Sequence, residues 1–391
     1  MKRVFRVSLL GAAAALVLSA CGGEIPPTSF PGLTLDGADA YLASNLHVYK
    51  FDAATGAQAW MFPAATENSY GPFAGPPLKL GNAIIVGETI GASGSTSHRL
   101  YALSAQDGTE LWRFSGGQRE YTDGASTDGR LIFAPNGDNT LYALDPSQMD
   151  GAEPKLVWKF TAQNKLWVRP LVANGKVFQP SLDHNLYALD AATGRLLWTF
   201  TAGASIASRP ALKDGVLFFG SFDQHMYAVD AETGAAVWRS AERLSGWVWC
   251  DPLVADDEVL VGDVKGGFYA IDARNGSLLW RSQVGGSIRA QPVIAGNKIY
   301  VATSDTYLYS FDRRPETDAS GTASPTRVLE NGLGRRLLST PIYANGALLV
   351  PLFDGDVKVT AVDLEARQKK FEFPLRPAFE FPLRPAMERS P

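Results

Sequence analysis

Arginine and tryptophan side chains recur at one kind of position in this chain, in the short stretches that precede a proline and an apolar run. The stretches contain Arg119, Trp167, Arg169, Arg209, Trp247, Trp249, Asp251, Arg289 and Arg336. A guanidinium group binds carboxylates and phosphates, and guanidinium and indole groups both offer flat surfaces for stacking. If they meet in space, these side chains predict a site for a protein partner, or for an anionic or aromatic small molecule such as a quinone cofactor or a nucleotide.

The same residues also have a purely structural interpretation. The arginines could pair with Asp or Glu around a channel that the tryptophans fill, and the sequence leaves both interpretations open. Cys250 lies among them. A lone thiol of this kind is expected to be a small buried apolar group without redox chemistry.

Other chemistries have no support in the sequence. We find no Gly-rich phosphate loop, no G-x-S-x-G, no H-E-x-x-H and no pair of catalytic carboxylates. The four histidines have no metal-ligand spacing, and there are only two cysteines. We therefore expect no enzyme activity, no metal and no cofactor. The formal net charge is −4, and the first twenty residues contribute Lys2, Arg3 and Arg6, so the remainder carries −7. Such an acidic chain is a poor nucleic-acid binder.

A repeated hairpin must position the Arg and Trp residues. Its clearest copy, NLYALDAATGRLLWTF, begins at Asn185 and consists of a strand of alternating apolar residues, a turn and a second strand with a tryptophan. Six copies end in tryptophan, at Trp60, Trp112, Trp158, Trp198, Trp238 and Trp280. A seventh copy has an enlarged polar turn and no tryptophan, and the eighth substitutes Phe371.

A second motif precedes the hairpins and completes the repeat. It consists of a proline, a short apolar run, a turn such as Asn174-Gly175, and another apolar run. Asn-Gly and Asp-Gly between apolar runs indicate tight hairpins, so each unit comprises about four short strands. Eight such units without a helical pattern predict an all-β, eight-bladed propeller of four-stranded antiparallel blades.

The hairpins resemble the PQQ-type (quinoprotein-like) propeller repeat, with its pattern A-x-D-x-x-x-G-x-x-x-W. Three copies match it fully, through Asp190, Gly194 and Trp198, through Asp230, Gly234 and Trp238, and through Asp272, Gly276 and Trp280. The resemblance implies that each tryptophan lies over the glycine turn of a neighbouring blade, which makes these residues structural. The family with this repeat also includes quinoprotein dehydrogenases. Their vicinal Cys-Cys pair is absent from this sequence, so bound PQQ is not expected.

The N-terminus has the features of a secretory signal. Lys2, Arg3 and Arg6 precede an apolar run that ends in Leu18-Ser19-Ala20-Cys21. This ending resembles a bacterial lipobox, which implies lipidation of Cys21. We therefore divide the chain into a signal peptide (1–20), a lipidated cysteine with a short tether (21–30), the propeller (31–373) and a tail (374–391). The tail repeats FEFPLRPA, which first occurs at Phe371.

A lipobox, a short tether and a single eight-unit propeller together resemble the BamB family of outer-membrane lipoproteins. The resemblance implies a non-catalytic scaffold in the cell envelope, lipid-anchored and facing the periplasm. It implies protein partners, among them a component of the outer-membrane β-barrel assembly machinery, and a monomeric propeller within a complex. In the family the partner surface is formed by inner-strand loops. The corresponding stretches here are KLWVRP and RLSGWVWCDP, which contain Trp167, Arg169, Trp247 and Asp251.

Overall fold

The computed structural model describes residues 30–64, 70–89, 98–353 and 355–374. The predicted signal peptide, Cys21 and the second FEFPLRPA copy lie outside these ranges, and nothing in the structure bears on them. Within the ranges the regular structure is entirely β, with eight antiparallel sheets of four strands each. The predicted eight-bladed propeller is confirmed. The described part of the chain contains no helix that could cross a bilayer.

Each blade consists of four consecutive strands, numbered here in chain order. Blade 1 contains β1 (Gly32–Asp36), β2 (Asp39–Ser44), β3 (His47–Asp52) and β4 (Gln58–Phe62). Blade 2 contains β5 (Phe73–Leu80), β6 (Ala83–Glu88), β7 (Leu100–Ser104) and β8 (Glu110–Phe114). Blade 3 contains β9 (Ser126–Thr127), β10 (Ile132–Pro135), β11 (Thr140–Asp150) and β12 (Glu153–Thr161). Blade 4 contains β13 (Leu171–Ala173), β14 (Lys176–Pro180), β15 (Asn185–Asp190) and β16 (Leu196–Thr201).

The remaining four blades follow the same plan. Blade 5 contains β17 (Ala211–Lys213), β18 (Val216–Gly220), β19 (Met226–Asp230) and β20 (Ala236–Arg239). Blade 6 contains β21 (Leu253–Ala255), β22 (Glu258–Gly262), β23 (Gly267–Asp272) and β24 (Leu278–Gln283). Blade 7 contains β25 (Val293–Ala295), β26 (Lys298–Ala302), β27 (Leu308–Asp312) and β28 (Thr326–Arg327). Blade 8 contains β29 (Ile342–Ala344), β30 (Ala347–Pro351), β31 (Val359–Asp363) and β32 (Gln368–Phe373).

The hairpin motif has a defined role within each blade, and blade 4 shows it. Asn174 and Gly175 both have positive φ, as the tight turn between β13 and β14 requires. Ala188 lies opposite Trp198 in the β15–β16 pair, and a β-bulge follows immediately. Asp190 accepts hydrogen bonds from the backbone N–H and the hydroxyl of Thr193, which fixes the turn. The recurring spacing of the motif therefore follows from turn and bulge geometry.

In four blades, the tryptophan (Trp60, Trp158, Trp198 or Trp238) lies over the glycine turn of the next blade. A Cβ at Gly194 would be 2.6 Å from the Trp158 ring, and one at Gly234 would be 2.7 Å from the Trp198 ring. The indole N–H of Trp158 donates to the Ala191 carbonyl at 3.0 Å. The same contact joins Trp60, Trp198 and Trp238 to Ala105, Ala231 and Ala273. The predicted structural role of the motif is thus observed as an inter-blade contact.

Blade 7 departs from this pattern, as its enlarged turn predicts. Glu316 stands where the motif has its glycine, and the buried indole nitrogen of Trp280 has no hydrogen-bond partner among the described residues. The turn instead extends along the outer strand of blade 6, where Arg281 exchanges backbone hydrogen bonds with Gly321 and Ala323. An added segment therefore covers the blade 6 edge beside Trp280, whose ring packs against Phe311 of blade 7.

Within the described ranges, side chains make the contacts that close the ring between blade 8 and blade 1. Phe371 takes the place of the tryptophan, and its ring lies 2.6 Å from where a Cβ at Gly56 would be. Phe373 is fully buried and stacks on Phe51, with 4.2 Å between ring centroids. Since blades 1 and 8 are each built from consecutive strands, no strand is exchanged at this junction. The first FEFPLRPA copy thus supplies the closing contacts.

A second inter-blade network was not predicted from the sequence. Asp223, in the turn that follows β18, accepts hydrogen bonds from the Tyr227 hydroxyl and from the backbone N–H of Gly203 at 3.0 Å. Equivalent Asp–Tyr pairs occur at Asp138 with Tyr142, Asp183 with Tyr187, Asp263 with Tyr269 and Asp305 with Tyr309. The Asp223 carboxylate thus links the loop that leaves blade 4 to blade 5, the blade that this loop enters.

Candidate functional site

The repeat prolines place the candidate residues on the inner edge of the ring. Pro170, Pro210, Pro252, Pro292 and Pro341 each stand one residue before an innermost strand. Proline suits the start of an edge strand, because it has no N–H to donate, and it holds the preceding residue in an extended conformation. Each pre-proline side chain is therefore delivered to the same level of the ring.

The innermost strands surround a central channel with a cavity of about 940 Å³. Of the nine candidates, six line it, namely Trp167, Arg169, Arg209, Trp249, Asp251 and Arg289. They form two levels. The pre-proline residues form a charged level, and the residues two positions earlier in the chain form a level of Trp167, Ala207, Trp249, Arg289 and Leu338.

The charged level is balanced internally. The Arg169 guanidinium lies 3.7 Å from the Asp123 carboxylate, which also accepts the Arg169 backbone N–H at 3.1 Å. Asp251 accepts the Arg209 backbone N–H at 2.7 Å, and the Arg209 Nε donates to the Pro170 carbonyl at 3.4 Å. Two arginines thus face two aspartates, as the structural interpretation of the sequence anticipates.

Burial shifts the proton affinities of this level. It raises the pKa of Asp251 to about 6, and the nearby Asp123 carboxylate adds to the rise against the attraction of Arg169. Burial also lowers the pKa of Arg209, and the neighbouring Arg169 contributes. The folded channel therefore holds the Asp251 proton more tightly than the unfolded chain does.

This shift predicts a pH-dependent stability that Asp251→Asn should remove. Because the folded pKa is raised from 3.8, the stabilising contribution is complete below about pH 3.8 and is lost as the pH rises through about 6. The side-chain amide of the variant would still accept the Arg209 N–H. We expect the unfolding free energy of the wild type, relative to the variant, to fall by about 1–3 kcal/mol between pH 4 and 7.5. Urea denaturation across this range measures it, with exposed Asp257→Asn as the control. Parallel pH curves for wild type and Asp251→Asn would contradict the prediction.

The second level is aromatic and cationic. Trp167 and Trp249 are nearly parallel, with 6.1 Å between ring centroids and 15° between planes. The Arg289 guanidinium lies 4.7 Å from the Trp249 centroid. The Lys165 Nζ lies 5.8 Å from the Trp167 centroid and pairs with Glu120 at 2.9 Å. The tryptophans thus line the mouth of the channel.

Three candidates lie outside the channel. Trp247 is 51% exposed and stacks on Phe222, with 5.1 Å between centroids and 14° between planes. Arg119 is exposed on a loop whose backbone is bonded to Asn136. Arg336 stacks on Phe353 at 4.6 Å. These three residues lie in loops that occupy equivalent places in their repeats. None of them stands at the pre-proline position or two residues before it, which are the two positions whose side chains point into the channel.

Cys250 has the environment expected of a structural thiol. It is fully buried, and its Sγ–H donates to the Ala290 carbonyl at 3.1 Å. Burial raises the pKa of the thiol well above its ordinary range, so the reactive thiolate is disfavoured. No cluster of His, Cys, Asp or Glu in the described ranges has the geometry of a metal site.

Sequence reasoning missed several polar members of the channel wall, among them Asp123, Gln291 and Thr340. The last two are joined by a 3.1 Å hydrogen bond from the Gln291 backbone N–H to the Thr340 hydroxyl. The last two precede repeat prolines and could have been found from that position. Asp123 has no proline after it, so only the equivalence of blade 3 with the other blades would have identified it.

Comparison with known proteins gives a family match over most of the ring. The family model described as "Outer membrane protein assembly factor BamB" matches residues 44–153, 147–248 and 228–365. A curated protein of the same name from Burkholderia pseudomallei (strain K96243) is 30% identical over 137 residues. That match covers 35% of this chain and 32% of the relative, so it spans about a third of the relative's length.

Solved structures match most of the chain. The crystal structure of BamB from Moraxella catarrhalis is 19% identical, with a TM-score of 0.64 over 83% of this chain and 91% of that one. The computationally designed Ika8 protein is 15% identical, with a TM-score of 0.67 over 85% of this chain and 96% of that one. At these identities the likeness concerns the fold. Since a designed protein shares it, the ring architecture alone assigns no function.

Proposed function

Because this chain belongs to the family described as outer membrane protein assembly factor BamB, we propose that it is a non-catalytic scaffold that binds protein partners during outer-membrane protein assembly. The family match over residues 44–365 carries the proposal. The partners would be envelope proteins, including a component that assembles β-barrels. The chain would face the periplasm, anchored in the outer membrane through lipid on Cys21, whose lipobox-like context supports export.

We assign partner binding to the surface around Trp247, which lies in the loop between β20 and β21. A half-exposed tryptophan is unusual on a soluble surface and typical of a binding hot spot. Stacking on Phe222 holds the indole in place, and Phe222 also contacts Trp249 at the channel mouth, at 5.5 Å. The indole is therefore presented in a fixed orientation, which reduces the entropy lost on binding. The internal pairing of Arg169 with Asp123 makes that arginine a poorer candidate for direct contact.

The test is crosslinking and capture of the membrane-anchored protein from its own envelope, with wild type and Trp247→Ala compared. Loss of a hot-spot tryptophan costs at least about 2 kcal/mol, so we expect capture of the partner to weaken by about 30-fold or more. Leu111→Ala is the matched control, because Leu111 is 49% exposed but lies on the outer strand β8. Leu111→Ala should capture the partner as the wild type does.

Two results would overturn this proposal. Capture that is unchanged in Trp247→Ala would remove the assigned surface. If the wild-type protein crosslinks to no β-barrel assembly component in its own envelope, the scaffold role itself fails. Trp247→Ala should keep the wild-type melting temperature, because the side chain is half exposed and lies outside the blade cores.

A further inference from the structure

Among the described residues, no carboxylate compensates the charge of the Arg289 guanidinium in the channel. None of the ion pairs or hydrogen bonds among the described residues involves its side chain, and its Nε is buried without an acceptor. Its contacts are the Trp249 ring at 4.7 Å and the Phe30 ring at 6.0 Å. Burial, with the charge of nearby Arg336, lowers its pKa. A partly desolvated cation whose Nε lacks an acceptor gains free energy when an anion supplies one.

The other charges of the cavity wall are compensated. Lys79 pairs with Asp36 at 2.9 Å, and Arg169 pairs with Asp123. The Asp251 and Asp123 carboxylates both act on the Arg209 guanidinium and raise its pKa against the effect of burial. In a chain with an acidic overall balance, the wall within the described ranges carries four cations, Lys79, Arg169, Arg209 and Arg289, against the carboxylates of Asp123 and Asp251. The unmatched positive charge therefore resides at the level of Arg289.

The residues around Arg289 indicate what shape and charge a bound anion should have. At its level the wall is formed by Trp167, Ala207, Trp249 and Leu338, which offer flat and apolar surface. The next level inward has the carboxylates of Asp123 and Asp251, which repel any further negative charge. The cavity of about 940 Å³ is at the upper end of the size of small-molecule sites. The wall thus suits one negative charge attached to a flat apolar body.

We propose that the channel mouth binds a small monocarboxylate with a planar apolar body, held by Arg289 and the faces of Trp249 and Trp167. The carboxylate accepts hydrogen bonds from the Arg289 guanidinium, and the apolar body lies against the two indoles. This site uses Trp249 and Trp167 rather than Trp247, and it does not depend on the scaffold role. It also disfavours polyanions such as nucleotides and tricarboxylate quinones, since Asp123 and Asp251 stand directly below.

The test uses 2-naphthoate as the probe with the purified full chain, followed by calorimetry and by quenching of tryptophan fluorescence. We expect saturable binding at one site per chain. The neutral isostere 2-naphthamide and the dianion naphthalene-2,6-dicarboxylate should each bind at least about tenfold more weakly, because the first lacks the charge and the second meets the aspartates. Arg289→Gln should also weaken naphthoate binding at least about tenfold.

Arg281→Gln is the control for overall charge, because it removes an exposed arginine from the outer strand β24 of blade 6. It should bind 2-naphthoate as the wild type does, and thermal unfolding checks that both variants are folded. The proposal is wrong if the wild type shows no saturable binding up to about 1 mM probe. It is equally wrong if 2-naphthamide or folded Arg289→Gln matches wild-type naphthoate affinity. Partner capture is measured separately, so this failure and failure of the scaffold proposal are distinguishable.

Discussion

Gly234→Val is expected to lower the free energy of unfolding by about 2–5 kcal/mol. Gly234 has φ of +74°, a conformation that costs a residue with a Cβ about 1–2 kcal/mol. The new Cβ would also lie 2.7 Å from the Trp198 ring, and relieving such overpacking costs about 1–3 kcal/mol more. Since Trp198 belongs to blade 4 and Gly234 to blade 5, the damage falls on the interface between blades. Chemical denaturation measures the effect.

A matched glycine in the same blade separates the two causes. Gly215 has φ of +77°, but a Cβ there would have no neighbour within 4 Å. Gly215→Val should therefore cost only the conformational part, about 1–2 kcal/mol. If Gly215→Val and Gly234→Val are equally destabilising, the tryptophan contact contributes nothing and its role in blade docking is wrong.

Phe373→Ala is expected to cost about 3–5 kcal/mol and to open the ring at one place. The side chain is fully buried, stacks on Phe51 at 4.2 Å and meets Tyr49 edge-on at 5.4 Å. Truncating a buried phenylalanine loses its transfer free energy and leaves a cavity. Because the described contacts between blade 8 and blade 1 are made by side chains, hydrogen exchange should accelerate first in the amides of those two blades.

Phe268→Ala provides the comparison at an interior junction. Phe268 is also fully buried and stacks on Phe311 of blade 7 at 5.1 Å. Its loss should destabilise by a similar amount, but with the faster exchange centred on blades 6 and 7. Exchange that accelerates evenly around the ring in Phe373→Ala would contradict a local weak point at the closure.

The fold could be predicted from the sequence because its signals are local and repeated. The Asn174-Gly175 turn, the Asp190 turn and the position of Trp198 each follow from backbone geometry within a few residues. Eight repetitions leave a closed ring as the arrangement that buries every blade face. The enlarged turn of blade 7 was recognised, but its pairing with blade 6 was not, because that contact depends on tertiary position.

The candidate site was predicted less completely. The period of the repeat brought six of the nine candidates to one channel, since equivalent positions in a ring face the same axis. It could not show that Trp247 points outward while Trp249 points inward, because the two lie in a loop that does not keep the alternation of a strand. Nor could it pair Arg169 with Asp123, because the two come from different blades. Charge balance in a channel depends on partners that are distant in sequence.

The closure without strand exchange has a consequence for how the chain is made. Blade 1 completes its hydrogen bonds by Phe62, and each later blade can form and dock as its residues emerge during synthesis. Seven junctions thus join neighbours in sequence and require only short loops to close. The eighth must bring Phe373 back to Phe51, and the entropy of closing so long a loop is lost only at the end. A chain that stops early would leave two apolar blade faces uncovered, so the last strand to be made decides whether the product is a closed ring or an aggregation-prone stack.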